Sequence, residues 1–138
     1  MMKLALLGLL PGLSAGLLAG AALGEEPSGP SGLDTFMQFG CFACHGQLGY
    51  GGAGPGFRGD KMLAAQDYVV ARILLGGGIM PAFGEKLTDQ EIAAVATYIR
   101  TSWGNGFGRV DAKQVAQTRA TLGGGKAQPA SGTQGATQ

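Results

Sequence analysis

The chain has 138 residues, 27 of them glycine, and is 45% hydrophobic and 14% charged. That is one small domain plus tails, and the apolar share excludes wholesale disorder. Ten Lys and Arg against nine Asp and Glu exclude a basic nucleic-acid binder. Cys41 and Cys44 are the only cysteines and His45 the only histidine, which excludes a four-ligand Cys/His zinc site and a multi-disulfide scaffold.

Residues 1–24 read as an export signal or an N-terminal membrane anchor. Met1-Met2-Lys3 supplies a short positive start, Leu4 to Leu10 is an unbroken apolar run, and Ala22-Leu23-Gly24 offers small residues for a signal peptidase. The competing reading is a retained tether through residues 4–24. That stretch carries no charge and is long enough to span a bilayer, and its glycines at 8, 12, 16, 20 and 24 give the small-xxx-small pattern of packed membrane helices. Pro11 weakens a continuous helix there. Both readings send the remainder of the chain across the membrane.

Residues 25–32 are linker-like. A short apolar-rich segment from Leu33 to Phe39 follows Ser31 and stops at Gly40, which predicts a first helix. Asp67 to Leu75 is nearly all apolar and stops at Gly76-Gly77-Gly78; the pattern alone leaves helix or strand open, and the glycine stop favours helix. Thr88 and Glu91 form a capping box, after which Ile92, Val95, Ala96 and Ile99 fall at helical spacing. A weaker helix is expected from Asp111 to Leu122, with Val115, Arg119 and Leu122 on one side. From Gly123 to Gln138 the composition cannot bury a core and reads as disordered. The expected organisation is a small all-α domain over 33–105, a helical extension over 106–122 and a tail over 123–138. Few aromatics and a glycine-rich stretch from Gly46 to Gly59 leave such a domain short of a core, so something besides side chains is expected to fill it.

Cys41-Phe42-Ala43-Cys44-His45 is the C-x-x-C-H attachment sequence for c-type haem. Two thiols three positions apart on a turn of helix reach the two vinyl groups of one porphyrin, and the adjacent imidazole points at the iron. A thioredoxin-like redox pair would call for a βαβ context, which the pattern lacks; a small disulfide loop would leave the glycine-rich interior unexplained. For the sixth ligand there is no second His. Of five Met, Met1 and Met2 belong to the leader and Met37 lies on the first helix. Met62 and Met80 remain, and Met80, between the glycine triplet and Pro81, sits in a loop able to curl over the iron. A thioether there favours Fe(II) and raises the reduction potential.

Across residues 31–104 the chain resembles the class I (monohaem, His/Met) c-type cytochromes of the bacterial periplasm. Gly32 and Phe36 match the family's small/aromatic pair on the first helix, which packs across a last helix here carrying Tyr98 and Trp103. Gly54-Pro55-Gly56-Phe57-Arg58-Gly59 is similar to the family's Gly-Pro-x-Leu-x-Gly loop, and Ile79-Met80-Pro81-Ala82-Phe83 to its Met-Pro ligand loop. The resemblance implies that the Pro55 carbonyl accepts the His45 Nδ1–H; for Arg58 it hints at a haem propionate, with an exposed loop arginine as the equal alternative. One residue, Gly40, is inserted before Cys41 relative to the commonest pattern.

The expected function is one-electron transport in a periplasmic respiratory chain or at the outer face of the cytoplasmic membrane, through one covalent haem c with His45 and Met80 as ligands and Cys41 and Cys44 as anchors. A periplasmic dehydrogenase as donor and a terminal oxidase as acceptor are the expected partners. The contact surface expected is the uncharged rim from Gly49 to Gly56 with Met80 to Phe83. A cytochrome subunit held permanently in a dehydrogenase or oxidase complex is the alternative, and a haem peroxidase or gas-binding protein would require the Met ligand to be absent.

Overall fold

The computed structural model describes residues 29–123. The leader at 1–24, residues 25–28 of the linker and the tail beyond Gly123 lie outside the described residues. Five α-helices and one 3₁₀ turn run in the order α1 (Gly32–Gln38), α2 (Cys41–His45), the turn (Lys61–Ala64), α3 (Gln66–Leu75), α4 (Asp89–Thr101) and α5 (Ala112–Thr121). Among the described residues there is no β-strand, only an isolated antiparallel bridge between Gly77 and Met80. The fold is all-α.

The starts of α1, α4 and α5 are written locally. The Ser31 hydroxyl accepts from the Asp34 N–H at 3.3 Å and caps α1. Thr88 and Glu91 cap α4 reciprocally, as do Asp111 and Gln114 for α5. Gly40, left-handed at φ +73°, turns the chain out of α1, so the attachment segment becomes a separate helix of five residues.

α1 crosses α4 closely because Gly32 has no side chain. A Cβ at Gly32 would collide with the Ala94 carbonyl oxygen and come 2.7 Å from the Tyr98 Cβ. One turn on, the Phe36 ring, 1% exposed, meets Tyr98 at 5.4 Å and Trp103 at 5.8 Å between ring centroids. Val70 of α3, Ile92 and Ala96 of α4 and Val115 of α5 are 0% exposed. Each of the three larger side chains contributes about 1.5–3 kcal/mol by leaving water.

Three polar side chains fasten the loops to this frame. Arg100, 4% exposed, donates to the carbonyls of Leu63 (2.8 Å), Ala64 (3.3 Å), Phe107 (2.7 Å), Gly108 (3.1 Å) and Arg109 (3.4 Å). Burial pushes its pKa below the usual guanidinium value. Asn105 joins the 57–59 segment to the end of α4, and Arg119 joins α5 to the loop after Met80.

Candidate functional site

The glycine-rich 46–59 segment wraps the end of α2. Left-handed glycines at 46, 49 and 51 turn it back on itself. The Gly51 N–H donates to the His45 carbonyl at 2.9 Å, and the Gly54 N–H to the Cys44 carbonyl at 2.9 Å. The return brings the Pro55 carbonyl oxygen 2.8 Å from His45 Nδ1. A carbonyl can only accept, so Nδ1 carries the proton and Nε2 keeps the free lone pair of the neutral ring. The ring, 8% exposed, stacks on Phe57 at 4.4 Å and 18°. Gly54 leaves it room: a Cβ there would come 2.9 Å from His45 Cε1 and 3.0 Å from Nδ1.

Phe57 is held in turn by Asn105. The Asn105 amide donates to the carbonyls of Phe57 (2.8 Å) and Ile99 (3.0 Å), while its oxygen accepts the Gly59 N–H at 3.0 Å.

The second element is the loop after α3. Gly76 at φ +68° ends that helix. The Met80 N–H then donates to the Gly77 carbonyl (3.1 Å) and the Gly77 N–H to the Met80 carbonyl (2.9 Å), closing a tight turn through Gly78 and Ile79. Behind it the Phe83 and Gly84 N–H groups donate to the Ile73 and Leu74 carbonyls, each at 3.0 Å. Those are carbonyls at the C-terminal end of α3, where the helix supplies no partner of its own.

These pieces enclose one cavity of about 280 Å³, lined by Cys41, Cys44, His45, Pro55 and Met80 together with core residues such as Leu63, Ile73, Leu87 and Val95. Five of the six site residues expected from sequence therefore meet at one place. Tyr68 and Phe83 line it as well. Burial pushes the Cys41 thiol up from its ordinary pKa, a backbone hydrogen bond pulls the other way, and the neighbouring Cys44 adds to the rise.

Arg58 is the exception. Phe57 turns inward and its neighbour turns out: the Arg58 guanidinium lies 4.7 Å from the Tyr50 ring centroid and donates to the Leu48 carbonyl at 3.4 Å. It does not line the cavity. Arg72 does, from α3, donating from Nη1 to the Gly76 carbonyl at 3.2 Å. Sequence reading missed it; its signal was a lone cation inside the apolar run 67–75.

The cavity fits a covalent porphyrin. Its walls are mostly apolar, two free thiols stand on its edge, and an imidazole with its free nitrogen assigned shares it with a thioether. The gap left by Gly54 against the imidazole keeps that ring unobstructed.

Comparison with known proteins agrees. The family described as cytochrome c oxidase, cbb3-type, subunit III, matches residues 28–99. The chain is 33% identical over 97 residues to the cbb3-type cytochrome c oxidase subunit FixP of Azorhizobium caulinodans, covering 63% of this chain and 31% of that one. It is 33% identical over 128 residues to cytochrome c-552 of Thermus thermophilus, covering 75% and 82%. It is 56% identical over 41 residues to the gluconate 2-dehydrogenase cytochrome c subunit of Pantoea cypripedii, 29% of this chain and 9% of that one. The chain thus spans under a third of two of these relatives and most of the third. With a family match over half its length and a two-thiol, one-imidazole cavity to receive the group, the chain belongs to the c-type cytochromes of that family and carries covalently bound haem c.

Proposed function

We propose that the chain is a one-electron carrier working beyond the cytoplasmic membrane, with His45 Nε2 and Met80 Sδ as the iron ligands and Cys41 and Cys44 as the thioether anchors. When bound, the haem supplies a reversible Fe(II)/Fe(III) couple. The protein's own residues do the rest. Pro55 holds the His45 tautomer that leaves Nε2 free to ligate. The tight turn at Gly77–Met80 sets Met80 on the cavity wall, where as an iron ligand its thioether would leave no position for a substrate. Leu63, Ile73, Leu87 and Val95 exclude water from the cavity wall, so a change of charge meets little solvent reorganisation. Arg72 lines the cavity and Arg58 does not, which supports Arg72 as the cation that would meet a propionate.

The observation that carries this reading is the shared cavity of Cys41, Cys44, His45 and Met80, drawn from two separate segments. Among the described residues no helix is long and apolar enough to cross a membrane; export rests on the 1–24 leader and on haem attachment outside the cytoplasm. A periplasmic dehydrogenase as donor and a terminal oxidase as acceptor suit the names of the relatives. Tyr50 (73% exposed) and Ile79 (75% exposed) offer uncharged contact area on the two loops that bound the cavity. A second reading, a cytochrome subunit kept in such a complex, is favoured by two of those relatives being named as subunits; the size of the purified mature protein separates the two.

The test is a visible spectrum of oxidised and reduced protein, with Met80→Ala beside it. The parent shows a low-spin c-type spectrum with a thioether-to-iron charge-transfer band, and its ferrous form does not bind CO at neutral pH. Met80→Ala loses the band and binds CO. A variant that behaves as the parent would remove Met80 from the ligand set.

A further inference from the structure

Helix α5 begins beyond residue 99, where the family match ends. It nevertheless touches the loop that follows Met80. Arg119, 4% exposed, puts its whole guanidinium to use there. Nη1 donates to the Gly84 carbonyl and Nη2 to the Leu87 carbonyl at 3.3 Å. Nε and Nη2 both reach Asp89 Oδ1 at 2.8 Å, closing an ion pair with the first turn of α4. Val115, 0% exposed, seats the same helix one turn earlier.

We propose that α5 is a strap on the Met80 loop and that Arg119 is its positioning residue. The inference rests on Met80 being an iron ligand. The loop from Met80 to Thr88 leaves α3 and must return to α4 without regular structure of its own. On one side it is tied by the Phe83 and Gly84 N–H groups to the end of α3. On the other it presents the Gly84 and Leu87 carbonyls, and only a planar, multi-donor side chain takes both while also pairing with Asp89. Gly84 is therefore held at both its N–H, by α3, and its carbonyl, by Arg119, four residues from the thioether. Asp89 holds the guanidinium in orientation, and its place at the start of α4 suits its charge. Released from Arg119, the loop keeps its bonds to α3 and its own short turns but loses its hold on α5, and its methionine exchanges more readily with an external ligand. The strap thus acts on the chemistry by keeping the iron closed.

The experiment uses the holoprotein with Arg119→Met, Arg119→Lys and, for reference, Met80→Ala. CO binding to the ferrous form at neutral pH is measured. Urea unfolding of the ferric form is followed separately by the thioether-to-iron band and by far-UV circular dichroism. Arg119→Met is expected to bind CO at least tenfold more readily than the parent and to lose the band at lower urea than the helix signal. Arg119→Lys, which pairs with Asp89 but spans fewer carbonyls, falls between. If the band and the helix signal move together with no gain in CO binding, Arg119 is structural only and the strap is refuted. Should Arg119→Met yield no holoprotein, Arg119→Lys carries the test, and parental CO behaviour in it refutes the proposal equally. A parent that already lacks the band and binds CO would instead overturn the ligand assignment of Met80.

Discussion

Asn105 offers the sharpest energetic test, because one small side chain closes three hydrogen bonds between segments far apart in sequence. It donates to Phe57 at 2.8 Å and Ile99 at 3.0 Å, accepts from Gly59 at 3.0 Å, and is 8% exposed. Asn105→Ala removes all three. Gly59 is exposed, so its N–H turns to water at little cost. Phe57 and Ile99 are buried, and each of their carbonyls loses its Asn105 donor at about 1–2 kcal/mol. The expected loss is about 2–4 kcal/mol, a fall of roughly 10–20 °C in thermal midpoint for a domain of this size. The assay is thermal unfolding of the oxidised holoprotein by far-UV circular dichroism. Asn105→Asp sharpens it by keeping the Gly59 acceptor while facing the two carbonyls with a carboxylate. Those carbonyls and the burial raise the folded pKa of the new carboxyl above its unfolded value. Its protonated form is therefore fully stabilising below the unfolded pKa, and that stability is lost as pH rises through the folded pKa. The variant is weakest at neutral pH and recovers on acidification. If both variants lie within about 0.5 kcal/mol of the parent, the reasoning fails.

Two further outcomes follow from the same geometry. Gly76→Ala places a methyl group against the Met80 carbonyl oxygen and within 2.8 Å of the Ala82 nitrogen, at a backbone of φ +68°. Left-handed strain and overlap together cost about 2–4 kcal/mol, seen as a lower urea midpoint with enhanced CO binding of the ferrous form; an unchanged midpoint would contradict the packing. In the haem-free chain the Cys41 thiol, raised chiefly by burial, pulled back in part by a backbone hydrogen bond and raised a little further by Cys44, stays protonated at neutral pH. Since its folded pKa exceeds its unfolded one, the stability it lends is held below the unfolded pKa and lost as pH rises through the folded pKa. Alkylation at Cys41 should lag an unfolded control several-fold near neutrality and catch up in alkali; equal rates at every pH would show that the site is not buried.

The α5 contact bears on how such a small domain manages its ligand loop. Residues 76–88 contain no helix, and their order comes from the surfaces on either side. The end of α3 supplies carbonyls for the Phe83 and Gly84 N–H groups, and α5 supplies a guanidinium for the Gly84 and Leu87 carbonyls. Val115 and Arg119 were legible as one face of a coming helix. That the face closes over the methionine loop was not, because the carbonyls it meets come from residues some thirty positions earlier.

What the amino-acid sequence determined by itself is whatever a single turn of chain can encode. The thiol spacing and adjacent imidazole of 41–45, the Ser31 cap, the Thr88/Glu91 box and the glycine stop at 76 each depend on neighbours a few positions away, and each is readable without the fold. The buried cations are the opposite case. Arg100 and Arg119 both stand in the last turn of their helices, where a cation suits the helix dipole and usually faces water. Here each is 4% exposed, because backbone carbonyls from distant loops converge on it. Arg58 faces away from the cavity and Arg72, which the sequence did not mark, lines it for a related reason: Phe57 faces inward because Asn105 holds its carbonyl and Trp103 stacks on its ring, neither of which is written in the loop's own residues. Carbonyl acceptors are present at every position, so sequence carries no mark of which ones a side chain will find; only the assembled backbone selects them.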